Sequence, residues 1–368
     1  MAGFHQMVIN LHYLSIIWFI ISSIHLRPDM IGISAGQSMS IEEIANKLVA
    51  AGKGILAADE STSTIAKRFY KAGIENTEEN RRLYRELLFT TKGVENFISG
   101  VILFDETIRQ SSADGTPFPK LLSSKGIAPG IKVDQGVVPF GDKDETITKG
   151  LEGLEDRLAE YASLGAQFTK WRGVITIGSD IPTEECIREN AKALAKFAIK
   201  TQEAGMVPIV EPEVLMDGAH TIDRCLQVTT ETLTTVFEEL KRAGVNLRGM
   251  LLKPNMIISG SENHTPSTIE LISQMTIECF KKTVPTEVPG IVFLSGGQSD
   301  EQAAFNLNEM NKINNLPWQL SFSFGRGLQQ AALKALDGKI EDEVYREAAK
   351  QAFYHSSQQC SLARSGKL

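Results

Sequence analysis

From about residue 52 the chain alternates short apolar runs of β type with longer stretches whose apolar residues recur at helical spacing, the pattern of repeated βα units. Eight runs read as strands: 54–59, 100–104, 130–134, 167–172, 207–211, 249–253, 290–295 and 320–324. Eight is the number that closes a (β/α)8 barrel, so the expected fold is α/β, a TIM (β/α)8 barrel in a single domain. The helical stretches have readable ends. Residues 150–164 and 182–202 carry apolar positions at helical spacing, and Gly205 and Gly244 supply stops. Thr265-Pro266 predicts an N-cap followed by proline in the first turn, and Ser299 with Gln302 has capping-box spacing. Residues 76–92, with Glu78, Glu79, Arg81, Arg82, Arg85 and Glu86, predict a charge-rich helix whose side chains face solvent in i,i+4 pairs.

The first 38 residues break this rhythm. Leu14 to Ile24 is strongly apolar but shorter than the ~20 residues of a membrane span. No Lys or Arg precedes Arg27, so the basic leading region of a signal peptide is missing. An amphipathic helical pattern opening at Met39 makes a natural start for the folded part. The expected organisation is therefore an apolar extension over 1–38, signal- or anchor-like or a non-native start. A barrel over 39–360 and a truncated C-terminal tail over 361–368 follow it. The expected location is the cytoplasm, with the extension as a minor signal or anchor alternative.

Composition narrows the function classes. At 42% hydrophobic and 23% charged residues the chain is of ordinary globular type and long enough for a large core. A net charge of −7 argues against nucleic acid as a partner, although local basic clusters still suit small anions. Cys186, Cys225, Cys279 and Cys360 form no C-x-x-C pair and read as reduced thiols. The six histidines show no paired ligand spacing, so no metal is expected.

The chemistry lies where strands leave the sheet. Pro254 stops the run 249–253 and biases Lys253 toward an extended backbone, which puts this lysine at a strand end. Taken alone, it reads as a solvated strand end. Its counterparts change that reading. Asp59 ends the first strand, Lys132 and Asp134 lie on the third, Lys170 and Arg172 on the fourth, and Glu211 and Glu213 on the fifth. Charges converging on a barrel mouth must pair, hydrate or serve a ligand, because burying them unpaired costs several kcal/mol. A buried salt-bridge network is the structural alternative. The functional reading is a lysine that attacks a carbonyl. Such a lysine must arrive unprotonated, which desolvation and neighbouring cations favour, and Lys253 with Lys170 and Lys132 supplies those components. Glu211 is then the acid that removes the carbinolamine hydroxyl, and Asp59 takes a proton from a substrate hydroxyl during carbon–carbon cleavage. The glycine turns 294–299 and 323–327, the second with Arg326, follow the seventh and eighth strands. Barrels of this kind hold phosphate there.

With these residues assembled, the chain resembles class I fructose-bisphosphate aldolase over nearly all of residues 40–360. The resemblance is carried by segments 52–61, 75–82, 130–134, 170–172, 210–213, 251–255, 294–298 and 325–326. It implies that Lys253 forms a Schiff base with the ketone, that Glu211 serves as acid and base, and that Asp59 works on the C4 hydroxyl. Lys170, Arg172 and Glu213 would shape the charge of the pocket. Ser295, Gly296, Gly297, Ser323, Gly325 and Arg326 would hold one phosphate, with Arg68 reaching the sugar phosphate, and Ser61, Thr64 and Lys132 would meet the other. The reaction implied is reversible cleavage of a sugar bisphosphate, fructose 1,6-bisphosphate, to two triose phosphates, in glycolysis and gluconeogenesis. A cytosolic homotetramer without a cofactor would carry it out, and the sequence names no cytoskeletal or scaffold partner.

Another Schiff-base barrel such as a transaldolase and a fold-keeping scaffold protein with impaired turnover are the alternatives. Two departures from the family pattern stand out. Ser63 occupies a position where the family usually has glycine, which predicts a changed turn. The chain also stops at Leu368 without the tyrosine-ended tail of animal and plant members, and Tyr345 and Tyr354 belong to the preceding helical region. The expectation is retained cleavage with turnover limited by protonation of the enamine. Grafting a tyrosine-ended tail should then raise the steady-state rate, and an unchanged rate would remove this account.

Overall fold

A computed structural model describes residues 39–368, so the apolar run 14–24 and the extension around it lie outside the described residues. All eight expected runs become parallel strands of one closed barrel. They are β1 (Gly54–Ala58), β2 (Ile98–Leu103), β3 (Ala128–Lys132), β6 (Phe168–Ile175), β7 (Val207–Val214), β8 (Leu251–Leu252), β9 (Gly290–Phe293) and β10 (Gln319–Phe324). The order around the barrel is β1-β10-β9-β8-β7-β6-β3-β2, and β2 closes on β1. Two short strands that the sequence pattern did not reveal, β4 (Val137–Pro139) and β5 (Thr146–Thr148), pair antiparallel between β3 and β6.

Side chains alternate across a strand, so every second residue faces the barrel axis. Low on the axis these residues are apolar: Ile55 and Ala57, Ile102, Ala128, Phe168, Val207 and Ile209, Leu251 and Val292 form one buried cluster. The Phe168 ring takes the space that glycine leaves at 100 and 130. A Cβ on Gly130 would come within 2.3 Å of that ring. The helix Ile41–Leu48 closes the bottom, contributing Ile44, Ala45 and Leu48 to the same cluster. Ser40 caps it in a full capping box with Glu43, one residue after the expected start at Met39. The opposite, outward face of the strands packs on the surrounding helices in a second, larger cluster.

Several helix expectations need correction. The helix expected to start at Thr265-Pro266 runs instead over Ile269–Thr283 with Thr268 as its cap. The Thr265 N–H is taken by the Asn263 side chain at 2.8 Å, a local turn that competes with helix initiation. Ser299 and Gln302 do form a capping box. The charge-rich helix, Glu78–Thr90, is not a solvated face throughout, because Arg85 and Glu86 are buried. Arg85 reaches across to Glu60, and Arg81 to Glu106 at 2.6 Å. The boundary expected at residue 360 falls inside a helix, Glu343–Arg364. Its final residue packs beneath the barrel, where Arg364 donates to the Val49 carbonyl at 2.9 Å and to Gln319 at 2.8 Å. The four cysteines are buried and free. Among the described residues no helix is long and apolar enough to cross a membrane.

Leu48 is fully buried where the bottom helix meets the barrel axis. Leu48→Ala should cost about 2–5 kcal/mol of unfolding free energy by denaturant titration. A loss under about 1 kcal/mol would mean that this helix is not part of the cooperative core.

Candidate active site

Higher on the same inward face the residues become ionisable. Lys132 follows Ala128 and Gly130 on β3, Lys170 and Arg172 follow Phe168 on β6, and Glu211 and Glu213 follow Ile209 on β7. Asp59 comes directly after β1 and Lys253 directly after β8. The last position is fixed from two sides. The Lys253 N–H donates to the Val210 carbonyl at 2.8 Å, and beyond Pro254 the Asn255 side chain accepts from the Val214 N–H at 3.1 Å.

The four innermost groups form a line of alternating charge. Asp59 Oδ2 lies 2.9 Å from Lys170 Nζ, which lies 3.0 Å from Glu211 Oε2. Glu211 Oε1 in turn lies 3.2 Å from Lys253 Nζ. Beside this line Lys132 pairs with Asp134 at 2.6 Å, and Arg172 pairs with Glu213. The expected pressure of bare cations on Lys253 is therefore not what the cavity provides. Lys170 is bracketed by two carboxylates and Lys132 turns to Asp134. What faces Lys253 directly is the oxygen of Glu211.

A cavity of about 1000 Å³ opens above this line, lined by every expected site residue except Gly297. Gly297 borders an adjoining hollow of about 870 Å³ that shares Thr64, Arg68 and Arg326 with the first. The turn after β9 requires its glycines. A Cβ on Gly296 would sit 3.0 Å from a Glu213 carboxylate oxygen, and Gly297 has φ of 72° with Met216 closing on it. Ser323 Oγ, on the last barrel strand, is buried with no hydrogen-bond partner. On the other wall Ser61 caps the helix Thr62–Lys71 and accepts from the Thr64 N–H at 3.3 Å. Ser63 sits exposed in the first turn of this helix and leaves the cap intact. Glu60, Arg109, Arg157 and Tyr161 also line the cavity and were not singled out from sequence.

The family model described as fructose-bisphosphate aldolase class-I matches residues 40–368. The chain belongs to the class I fructose-bisphosphate aldolase family. It is 54% identical over 333 residues to a probable class 1 fructose-bisphosphate aldolase of Xanthomonas campestris, covering 89% of this chain and 99% of that one. It is 53% identical to the cytosolic fructose-bisphosphate aldolase 5 of Arabidopsis thaliana, over 83% of this chain and 85% of the relative. Among solved structures, the aldolase of Plasmodium falciparum, crystallised with TRAP and a small-molecule inhibitor, superposes with a TM-score of 0.87 at 47% identity. That match covers 89% of this chain and 94% of the other. The chain is thus a class I aldolase, a lyase that cleaves fructose bisphosphate, on a TIM barrel.

In this aldolase, burial works against the charge on Asp59, yet Lys170 first, then Lys253 and Lys132, outweigh it and hold the carboxyl well below its ordinary range. Burial likewise raises Glu211, while Lys170, Lys253 and Arg172 bring it below its ordinary value against the opposition of Asp59. Burial opposes the Lys170 ammonium, but Asp59 and Glu211 lift it well above the ordinary lysine value.

Asp59 and Glu211 are depressed in the folded chain, so their contribution is complete above their ordinary values of 3.8 and 4.5 and is lost as pH falls toward the folded values. Lys170, raised from 10.5, contributes below that value and loses its contribution only as pH rises through its folded value. The melting temperature of Asp59→Asn should accordingly fall less steeply than that of the parent between about pH 5 and about pH 3. Parallel acid slopes for the two proteins would contradict the assigned depression.

Proposed function

We propose that Lys253 is the nucleophile of the aldolase reaction and forms a Schiff base with the ketone of fructose 1,6-bisphosphate. The observation that carries this is the line Asp59–Lys170–Glu211–Lys253, with each neighbouring pair within 3.2 Å. Glu211, ionised at rest, takes a proton from Lys253 through Oε1 and frees the amine for attack on the carbonyl carbon. It then returns a proton to the carbinolamine hydroxyl, which leaves as water. Asp59, held ionised by Lys170, takes the proton of the C4 hydroxyl. The C3–C4 bond breaks, its electrons pass to the iminium to give the enamine, and glyceraldehyde 3-phosphate leaves. Protonation of the enamine and hydrolysis release dihydroxyacetone phosphate and restore Lys253. Lys170 remains charged throughout, so that each carboxylate keeps a cation beside it when the other changes state.

The phosphates are assigned to the two walls. Ser295, Gly296, Gly297, Ser323, Gly325 and Arg326 hold the ketone-side phosphate, and Arg68, which borders the same hollow as Gly297 and Arg326, also reaches it. Ser61, Thr64 and Lys132 meet the far one. The unpartnered hydroxyl of Ser323, buried within the cavity wall, supports this, because a buried hydroxyl without a partner is costly unless a ligand completes it. Arg172 and Glu213 hold each other beside the line and keep the cavity wall charged but neutral in sum. The same reading carries the family expectation of a homotetramer working in the cytoplasm, in keeping with the cytosolic and cytoplasmic relatives of Arabidopsis thaliana and Spinacia oleracea.

Borohydride reduction in the presence of dihydroxyacetone phosphate should leave one stable adduct, found on Lys253 by peptide mass spectrometry. Glu211→Gln should slow its formation by about 10²- to 10⁴-fold. No adduct at Lys253 would favour instead a barrel retained for binding alone.

A further inference from the structure

Glu60 stands beside Asp59 in sequence, yet it turns away from the reacting line into a different set of partners. Its carboxylate is buried, with a side chain only 5% exposed. Oε1 accepts from Arg68 and, at 2.9 Å, from Gln329 Nε2, while Oε2 accepts from Arg85 at 2.7 Å. Gln329 also donates to the Ala57 carbonyl at 2.8 Å and accepts from the Tyr84 hydroxyl at 3.0 Å. It belongs to the first turn of the helix Arg326–Leu336, and its own N–H donates to the Gly325 carbonyl at 3.2 Å.

From its place in the cavity wall Glu60 thus braces two other groups that face the cavity. One is Arg68, the single outward-reaching member of the Arg68–Glu60–Arg85 cluster, with 26% of its side chain exposed against 3% for Arg85. The other is the turn Gly325–Arg326, which packs so closely on the end of β1 that a Cβ at 325 would lie 3.2 Å from the Ala57 carbonyl. A long, flexible arginine left free would have to be ordered each time a ligand arrived, and holding it beforehand removes that cost. Structural pairing alone is satisfied by Arg85 and Glu60. It does not require that Arg68 share the same oxygen that receives Gln329.

We infer that Glu60 is a positioning residue for anion recognition. Its one carboxylate pre-sets both Arg68 and, through Gln329, the Gly325–Arg326 turn, so that the two cations meet the ketone-side phosphate together. This rests on the phosphate assignment given above. Glu60 touches no reacting atom, and its removal acts on binding of the phosphate, not on the carbon chemistry.

The test is borohydride trapping on Lys253 with dihydroxyacetone phosphate and, in parallel, with dihydroxyacetone, which lacks the phosphate. Glu60→Gln should raise the concentration of the phosphate ester needed for half-maximal adduct about tenfold and leave that of dihydroxyacetone unchanged. In turnover of fructose 1,6-bisphosphate, KM should rise by a similar factor with kcat within about twofold, the signature of lost uniform binding. Glu60→Asp, which keeps the charge, should recover part of the loss. Since Glu60→Gln leaves Arg85 buried without its partner, Glu60→Gln with Arg85→Met provides a second variant in which both halves of the pair are gone. It should show the same phosphate-specific defect. Equal weakening toward both ketones, or no change toward either, overturns the inference. Arg68→Met and Arg326→Met separate the two layers of the reading. If they abolish the preference for the phosphate ester while Glu60→Gln does not, only the role of Glu60 fails. If they leave the preference intact, the phosphate assignment itself fails.

Discussion

The arrangement at the mouth of the barrel depends on one shared ammonium group. Lys170 stands between Asp59 and Glu211 at 2.9 and 3.0 Å, and all three side chains are nearly withdrawn from water. Two carboxylates this close would not both stay ionised without a cation between them. With it, each can be charged while buried, and the second cation, Lys253, is held on the free side of Glu211. Without Lys170, Asp59 and Glu211 would lose the cation they share and only Glu211 would keep one, Lys253, beside it. The ion pairs here are not primarily a source of stability, since desolvation offsets most of their attraction. They set which group carries which proton.

Such a line needs its members to arrive at one height from different strands, and that is a matter of register. The inward positions of β6 run Phe168, Lys170, Arg172, and those of β7 run Val207, Ile209, Glu211, Glu213. A slip of one residue in either strand would turn the charges outward into the apolar layer against the helices, and the aliphatic residues inward to the cavity. The apolar plug made by Ile44, Ala45 and Leu48 with Phe168 and its neighbours therefore does more than close the bottom. It fixes which residues of each strand face inward, and through the alternation it fixes the positions of Lys170 and Glu211 above it.

The eight strands were legible because a strand buried on both faces reads as a short unbroken apolar run. The charged strand ends were legible for the converse reason, since each interrupts such a run. What stayed hidden was long-range pairing. Arg85 looks like a solvated helix residue until Glu60, 25 positions away, is placed against it by the barrel. The surroundings of Lys253 were expected to be cationic because lysines could be counted from the sequence. The strand register, which decides who neutralises whom, could not be read in the same way. The ribbon of β4 and β5 was missed because its strands are three residues long and partly exposed, too short for a periodic signal. The start of Ile269–Thr283 was misplaced because Asn263 forms a competing turn that a search for caps does not weigh.

The closure of β10 onto β1 has a consequence for how the enzyme comes into being. The last barrel strand completes the cavity by bringing Ser323 and the Gly325–Arg326 turn beside the end of the first, and the bond from Gln329 to Glu60 spans 269 positions of sequence. A chain still emerging from the ribosome, with β1 to β9 already made, has Asp59, Lys170, Glu211 and Lys253 but not the strand that joins β1 to β9 and seals the cylinder. A chain cut short before β10 lacks Ser323 and the Gly325–Arg326 turn, the wall that completes its cavity.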